Sequence, residues 1–158
     1  MLDLIIRNGK CYINGELKKV DVSVKDKKIH QIGQILEKAK ETIDVSGHTV
    51  LPGCIDTQTH FREPGSTDTE DLHSGSRAAI VGGITSVFEM PNTNPPTSNK
   101  KEFQRKLDLA KNRMYCNYAF YFGATADNAD DLASLKDLEG CCGIKLFAGS
   151  STGNLLVA

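Results

Sequence analysis

The feature that most constrains the fold of this chain is an alternation of strand-like and helix-like segments that begins at Pro52-Gly53. Apolar segments of strand length cover residues 54–61, 84–90, 116–123 and 143–148. Helical patterns separate them at residues 71–81, 99–112 and 127–138. Because strands that alternate with helices form βαβ units on a parallel sheet, the fold class is α/β. A doubly wound sheet and a (β/α)₈ barrel both fit this rhythm.

The segment before Pro52 has a different pattern, without helical periodicity. Short strand-like stretches are separated by turn dipeptides such as Asn8-Gly9 and Asn14-Gly15, and residues 20–24 alternate with period two. We therefore expect residues 1–52 to form a small all-β unit and residues 53–158 to form the α/β domain.

Charge and composition exclude several classes of protein. The 158 residues include 19 Lys and Arg against 20 Asp and Glu, a net charge of −1 that favours neither nucleic acid nor an anionic membrane surface. No stretch approaches the roughly 20 apolar residues that span a bilayer, and the N-terminus has no signal-peptide pattern. The 5 cysteines include an adjacent pair and no C-x-x-C spacing, which indicates free thiols. We expect a soluble, cytoplasmic protein.

Polar residues mark the end of the first parallel strand. Asp56, Gln58 and His60 are spaced two apart, so a regular strand would place them on one face. In both kinds of α/β fold, ligands bind at the carboxyl ends of the parallel strands. This spacing indicates a binding site there, and a hydrogen-bonded structural cluster is the alternative.

Three further residues are candidates for the same site. Lys145 lies in the fourth strand, and a neutral lysine amine can add carbon dioxide to become an anionic carbamate that ligates metal; a lysine that reaches solvent is the alternative. Arg62 and Asn92 begin the loops after the first and second strands. A guanidinium and an amide suit a substrate carboxylate, although such loop residues are also common without any ligand.

Together these segments resemble dihydroorotases of the amidohydrolase superfamily. The resemblance rests on PGCIDTQTHFREPG, GGITSVFEMPNTNPP and CGIKLFAGSSTGN, which occur in this order between Pro52 and Asn154. It implies a (β/α)₈ barrel with a small β-sandwich built from both chain ends. It also implies the reversible interconversion of N-carbamoyl-L-aspartate and L-dihydroorotate in de novo pyrimidine biosynthesis, with one or two Zn²⁺ ions as cofactor.

The resemblance assigns roles residue by residue. His60 matches the second histidine of the family's His-x-His metal pair, and Lys145 matches its carboxylated, metal-bridging lysine. Arg62 and Asn92 match the residues that hold the substrate carboxylate. Gln58 stands where the family has the first histidine, and an amide oxygen is a weak zinc ligand, so we expect a single zinc or a weakened second site.

The resemblance covers only part of a barrel, which needs about 250 residues. Residues 53–158 supply about four βα units, so we expect the N-terminal portion of a longer enzyme, with the catalytic aspartate beyond the chain end and no activity in this portion alone. The implied partner arrangement is a homodimer or an association with aspartate transcarbamoylase. A non-catalytic dihydroorotase-like remnant or structural partner of that enzyme, and a hydantoinase- or dihydropyrimidinase-like hydrolase, are the alternatives.

Overall fold

The structure is a computed structural model that describes residues 1–149 and 155–157. The chain divides into two compact units, Met1–Pro52 and Gly53–Ala158. No helix within the described residues is both long enough and apolar enough to cross a membrane.

The first unit contains only β-strands, in two sheets. Its strands are β1 (Leu2–Arg7), β2 (Lys10–Ile13), β3 (Glu16–Lys19), β4 (Asp21–Lys25), β5 (Lys28–Gly33), β6 (Ala39–Asp44) and β7 (Thr49–Val50). One sheet has the order β5-β4-β1-β6 and the other β3-β2-β7. Leu2, Ile5 and Ile35 form the small buried core. The turn between β2 and β3 has positive φ at Asn14 and Gly15, as a two-residue hairpin turn requires.

Two strands of this unit, β3 and β6, were not predicted from the sequence. All four residues of β3 are exposed, and five of the six residues of β6 are exposed. Their side chains carry no apolar alternation, because pairing with β2 and β1 rather than burial holds them in place. Period-two patterning reports burial of one face, so it does not detect such strands.

The second unit is built on a four-stranded parallel sheet. Its strands are β8 (Cys54–Thr59), β9 (Ile84–Glu89), β10 (Asn117–Gly123) and β11 (Cys141–Lys145), in the order β11-β10-β9-β8. Neighbouring strands are also neighbours in the chain, and every pair is parallel. The helices are α1 (Leu72–Val81), α2 (Lys100–Ala110) and the short α3 (Ala129–Leu132). The α/β fold class predicted from the sequence is confirmed.

The core of this unit lies between one face of the sheet and the helices. It is formed by nine buried side chains, namely Phe61, Leu72, Val87, Phe103, Ala110, Cys116, Phe120, Phe122 and Leu135. Val87, Phe120 and Phe122 come from the strands, so their face of the sheet is the helix-facing one. The side chains that alternate with them point to the opposite face.

The first two helices begin where side-chain caps are available. Asp71 accepts a hydrogen bond from the backbone N of Ser74 at 2.6 Å, and Ser74 Oγ accepts one from the backbone N of Asp71, which completes a capping box. Asn99 caps α2 through a 2.9 Å hydrogen bond from the backbone N of Glu102. These caps explain why α1 and α2 lie within the predicted segments.

The third predicted helix, residues 127–138, is largely absent. The structure has only α3 and a 3₁₀ turn at Ala133–Leu135. Asn128, at the N-cap position, does not cap the helix, because its side chain donates to the carbonyls of Ser98 and Gly123 and accepts from the backbone N of Thr125. The fourth strand begins at Cys141 and ends at Lys145 rather than covering residues 143–148. Residues 150–154 of the third motif lie outside the described residues.

Candidate functional site

The face of the sheet opposite the helices is lined by groups from three neighbouring strands. The rings of Phe88 on β9 and Tyr121 on β10 meet edge to face there, with centroids 6.5 Å apart. The Tyr121 hydroxyl donates a hydrogen bond of 3.3 Å to the carbonyl of Thr57 on β8. These contacts link three neighbouring strands across this face.

His60 and Asn92 meet at the carboxyl ends of β8 and β9. His60 Nδ1 lies 3.0 Å from Asn92 Oδ1, and both residues are half-buried. An amide oxygen only accepts hydrogen bonds, so Nδ1 carries the imidazole hydrogen and donates it. In the neutral ring this leaves the lone pair on Nε2, the nitrogen that remains available to a cation.

The strand register places Lys145 on the same face of the sheet as His60. Thr59 pairs with Glu89 and Glu89 with Phe120, whose side chain faces the helices, so His60 follows on the opposite face. Gly123, three residues after Phe120, pairs with Lys145 and also belongs to the opposite face. The Lys145 ammonium lies 5.2 Å from the centroid of the Phe147 ring. Both candidate metal ligands therefore lie at the carboxyl edge of one face.

The alternation predicted for Asp56, Gln58 and His60 does not hold through β8. Asp56 pairs with Val87 and Thr59 with Glu89, so four residues of β8 lie opposite three residues of β9. Asp56 accepts a hydrogen bond of 2.9 Å from the backbone N of Gln58. This local irregularity shifts the side-chain alternation, so Asp56 lies on the helix-facing side of the sheet, beside Val87. The prediction of one shared face is wrong for Asp56, whereas Gln58 is exposed and two residues before His60.

Arg62 is exposed at the start of the loop after β8, and its neighbour Glu63 fixes that loop. The buried Glu63 carboxylate accepts two hydrogen bonds from Arg113, at 2.7 and 3.0 Å, and one of 2.9 Å from the backbone N of Leu72. The backbone N of Asn94 donates to the carbonyl of Pro64 at 2.9 Å. The loops that carry Arg62 and Asn92 are thus joined to each other and to α1.

A buried ion pair lies behind the Asn92 loop. Glu89 and Lys106 are both fully buried, and Lys106 Nζ contacts Glu89 Oε2. Lys106 Nζ also donates a hydrogen bond of 3.1 Å to the carbonyl of Met90 and lies 5.1 Å from the centroid of the Phe120 ring. Glu89 Oε1 has no hydrogen-bond partner among the described residues. Burial raises the pKa of Glu89 to about 7 and lowers the pKa of Lys106.

Our sequence reasoning did not identify this pair, although the sequence contains a signal. Glu89 interrupts the apolar strand segment ITSVFEM. Lys106 lies three residues after Phe103 and four before Ala110, which is the spacing of residues on one buried face of a helix. One acidic residue within an apolar strand and one basic residue on an apolar helix face indicate a buried ion pair, because charged side chains are seldom buried without a partner.

The residues fit part of a metal site rather than all of it. His60 offers a neutral imidazole nitrogen, and Lys145 as a carbamate would offer oxygen. Within residues 1–149 and 155–157, no group of three or more His, Cys, Asp and Glu side chains is arranged to hold a metal. Any further ligands of a zinc ion would have to come from elsewhere.

Comparison with known proteins identifies the family. The profile of the "Amidohydrolase family" matches residues 49–143. Allantoinase from Escherichia coli O1:K1 / APEC is 41% identical over 149 residues, which are 94% of this chain and 33% of that protein. Allantoinase from E. coli strain SMS-3-5 is 42% identical over the same share. The chain therefore belongs to the amidohydrolase family, and it spans about a third of the length of these relatives.

Solved structures agree with this assignment. L-hydantoinase (dihydropyrimidinase) from Arthrobacter aurescens superposes with a TM-score of 0.90 at 30% identity, covering 100% of this chain and 36% of that one. Dihydropyrimidinase from Brevibacillus agri NCHU1002 superposes with a TM-score of 0.83 at 27% identity, covering 100% and 35%. The four-stranded sheet corresponds to the N-terminal part of these structures, which confirms the predicted partial barrel.

These comparisons confirm the superfamily and leave the finer prediction open. The relatives above are named allantoinase, hydantoinase and dihydropyrimidinase, not dihydroorotase. The roles predicted for His60, Gln58, Arg62, Asn92 and Lys145 remain predictions.

Proposed function

We propose that this chain is part of a metal-dependent hydrolase of cyclic amides. The observation that carries the proposal is the position of His60 and Lys145 at the carboxyl edge of one face of the sheet, within a chain of the amidohydrolase family. In barrel enzymes that edge is where catalytic residues collect. Allantoinase and hydantoinase both take their names from cyclic ureides, and a cyclic amide bond is what these substrates share.

Zinc is the cofactor we propose, with His60 Nε2 and the carboxylated Lys145 among its ligands and Gln58 as a weak one. When bound, zinc polarises the amide carbonyl and lowers the pKa of the attacking water. The protein contributes the orientation of His60, which Asn92 holds through Nδ1. Gln58 is exposed two residues before His60, and its neutral amide favours one tightly held ion over two.

Two classes of substrate follow from different observations. Similarity to allantoinases and hydantoinases favours a neutral cyclic ureide such as allantoin or hydantoin. The exposed guanidinium of Arg62, two residues after His60, favours instead a ring that bears a carboxylate, such as dihydroorotate. The planar guanidinium of Arg62 would bind that carboxylate through two hydrogen bonds, whereas a neutral ring offers no anionic group for it to bind.

Hydrolysis assays on the protein at its full encoded length, loaded with zinc, test both classes. The substrates are hydantoin, allantoin, dihydrouracil and dihydroorotate, and we expect turnover of at least one. If dihydroorotate is the substrate, Arg62→Gln raises KM for dihydroorotate by roughly 10-fold or more, since hydrogen bonds to charged groups are worth about 1.5–3 kcal/mol. Arg77→Gln, on the exposed face of α1, is the matched control and leaves KM unchanged.

If none of the four rings is hydrolysed, the proposal is contradicted. That result would favour the non-catalytic alternative, a structural relative of the family. Turnover of hydantoin or allantoin without turnover of dihydroorotate would assign the protein to the first class of substrate and leave Arg62 without a role in binding.

A further inference from the structure

The loop that follows β9 places one polar side chain against His60, and this contact carries an inference of its own. The resemblance to dihydroorotases assigns Asn92 to the substrate carboxylate. In the structure, Asn92 Oδ1 accepts a hydrogen bond from His60 Nδ1 at 3.0 Å.

We propose that Asn92 is a positioning residue that fixes the imidazole of His60 in the tautomer with hydrogen on Nδ1, so that the Nε2 lone pair is kept for a cation. The inference rests on the proposed metal-dependent function. Metal-binding histidines commonly donate their second ring N–H to an acceptor, which fixes the tautomer and raises the basicity of the ligating nitrogen.

The backbone around Asn92 is held in a way that suits this role. The backbone N of Met90 donates to the carbonyl of Thr59 at 2.9 Å, which ties the end of β9 to the residue before His60. The backbone N atoms of Thr93 and Thr97 both donate to the carbonyl of Pro91 at 2.9 Å. Asn92 is therefore flanked on both sides by fixed backbone, and its side chain is presented to His60 before any substrate binds.

The buried ion pair strengthens the same arrangement from behind. Lys106 donates to the carbonyl of Met90 from a fully buried position on α2. The backbone N of Gly123 donates to the carbonyl of Thr97 at 2.8 Å, which joins the far end of the loop to β10. A loop fastened at both ends loses little conformational entropy when His60 binds a metal.

Zinc titration of the metal-stripped protein at its full encoded length tests the proposal without substrate. Asn92→Ala removes the acceptor and is expected to weaken zinc binding by roughly 10–100-fold. Asn92→Asp retains an acceptor oxygen and is expected to keep the affinity at or above that of the unaltered protein. Asn94→Ala, an exposed asparagine of the same loop, is the matched control and leaves the affinity unchanged.

The tautomer is read directly from the ring ¹⁵N signals of His60 by NMR in the metal-free protein. The signals of His60 are identified by comparison with a His60→Gln variant. We expect the Nδ1–H form in the unaltered protein and in Asn92→Asp, and a shift toward the Nε2–H form in Asn92→Ala. A merely structural role for Asn92 would leave these signals unchanged.

The outcomes separate this inference from the proposed function. Unchanged zinc affinity in Asn92→Ala, or weaker binding without a change of tautomer, overturns the role of Asn92 described here. A raised KM at unchanged zinc affinity would identify Asn92 as a substrate ligand instead. If the unaltered protein binds no zinc, the metal-dependent function fails, whereas the metal-free ring signals still decide whether Asn92 sets the tautomer.

Discussion

Removing the cation from the buried pair behind the Asn92 loop is the perturbation whose cost the structure defines best. In Lys106→Met the side chain keeps most of its length but loses its ammonium, so Glu89 remains in the core without a counter-charge. Both side chains are fully buried. Breaking a buried pair by removing one partner costs about 3–5 kcal/mol of folding free energy.

The size of the cost depends on pH through Glu89. Burial raises the pKa of Glu89 from 4.5 to about 7 even with Lys106 beside it, which corresponds to roughly 3 kcal/mol for keeping it ionised. A carboxyl whose pKa is raised by folding contributes stability that is complete below its unfolded pKa and is lost as the pH rises through its folded pKa. Without Lys106 that folded pKa rises further, so the variant continues to lose stability above pH 7. The cost of Lys106→Met is therefore larger at about pH 8 than at about pH 5.5.

Urea unfolding followed by circular dichroism at these two pH values measures the difference. Lys101→Met is the matched control, since Lys101 is exposed on the same helix and its loss changes stability by no more than about 0.5 kcal/mol. The double variant Glu89→Leu with Lys106→Met removes both charges and is expected to recover most of the lost stability. A cost for Lys106→Met below about 1 kcal/mol at the higher pH, or one independent of pH, would refute the reasoning.

Three further predictions concern a helix cap, the loop after β8 and the thiols. Asn99→Ala removes the cap of α2 and lowers the unfolding free energy by about 1 kcal/mol in urea titrations, and an unchanged midpoint would contradict that role. Glu63→Gln weakens the contacts to Arg113 and the backbone N of Leu72 and costs about 1–3 kcal/mol, with faster proteolysis within residues 62–69 as a second measure; unchanged proteolysis would show that the loop is held by other contacts. Burial raises the pKa of the Cys142 thiol to about 11, so iodoacetamide at about pH 8 modifies exposed Cys54 first, and mass spectrometry that finds Cys142 modified first would contradict this order.

The sequence by itself determined the features that depend on local periodicity and capping. The apolar segments of the second unit, with the helical segments between them, predicted a parallel sheet. The resemblance to a family of barrel enzymes implied the order in which each strand pairs with the next one in sequence. The predicted helical segments 71–81 and 99–112 begin at the residues that cap α1 and α2, and such a cap is a local feature because it satisfies backbone N–H groups within its own turn. The motifs around His60 and Lys145 indicated the superfamily.

Only the tertiary structure decided which of these residues meet. His60 and Asn92 are 32 residues apart in sequence, and Glu63 and Arg113 are 50 apart. Such contacts depend on strand register and loop course, which periodicity does not encode. The extra residue of β8 between Asp56 and Thr59 changed which face Asp56 occupies, because one inserted residue reverses the alternation of side chains. The same limit explains why the contact between Asn92 and His60 could not be predicted from the sequence.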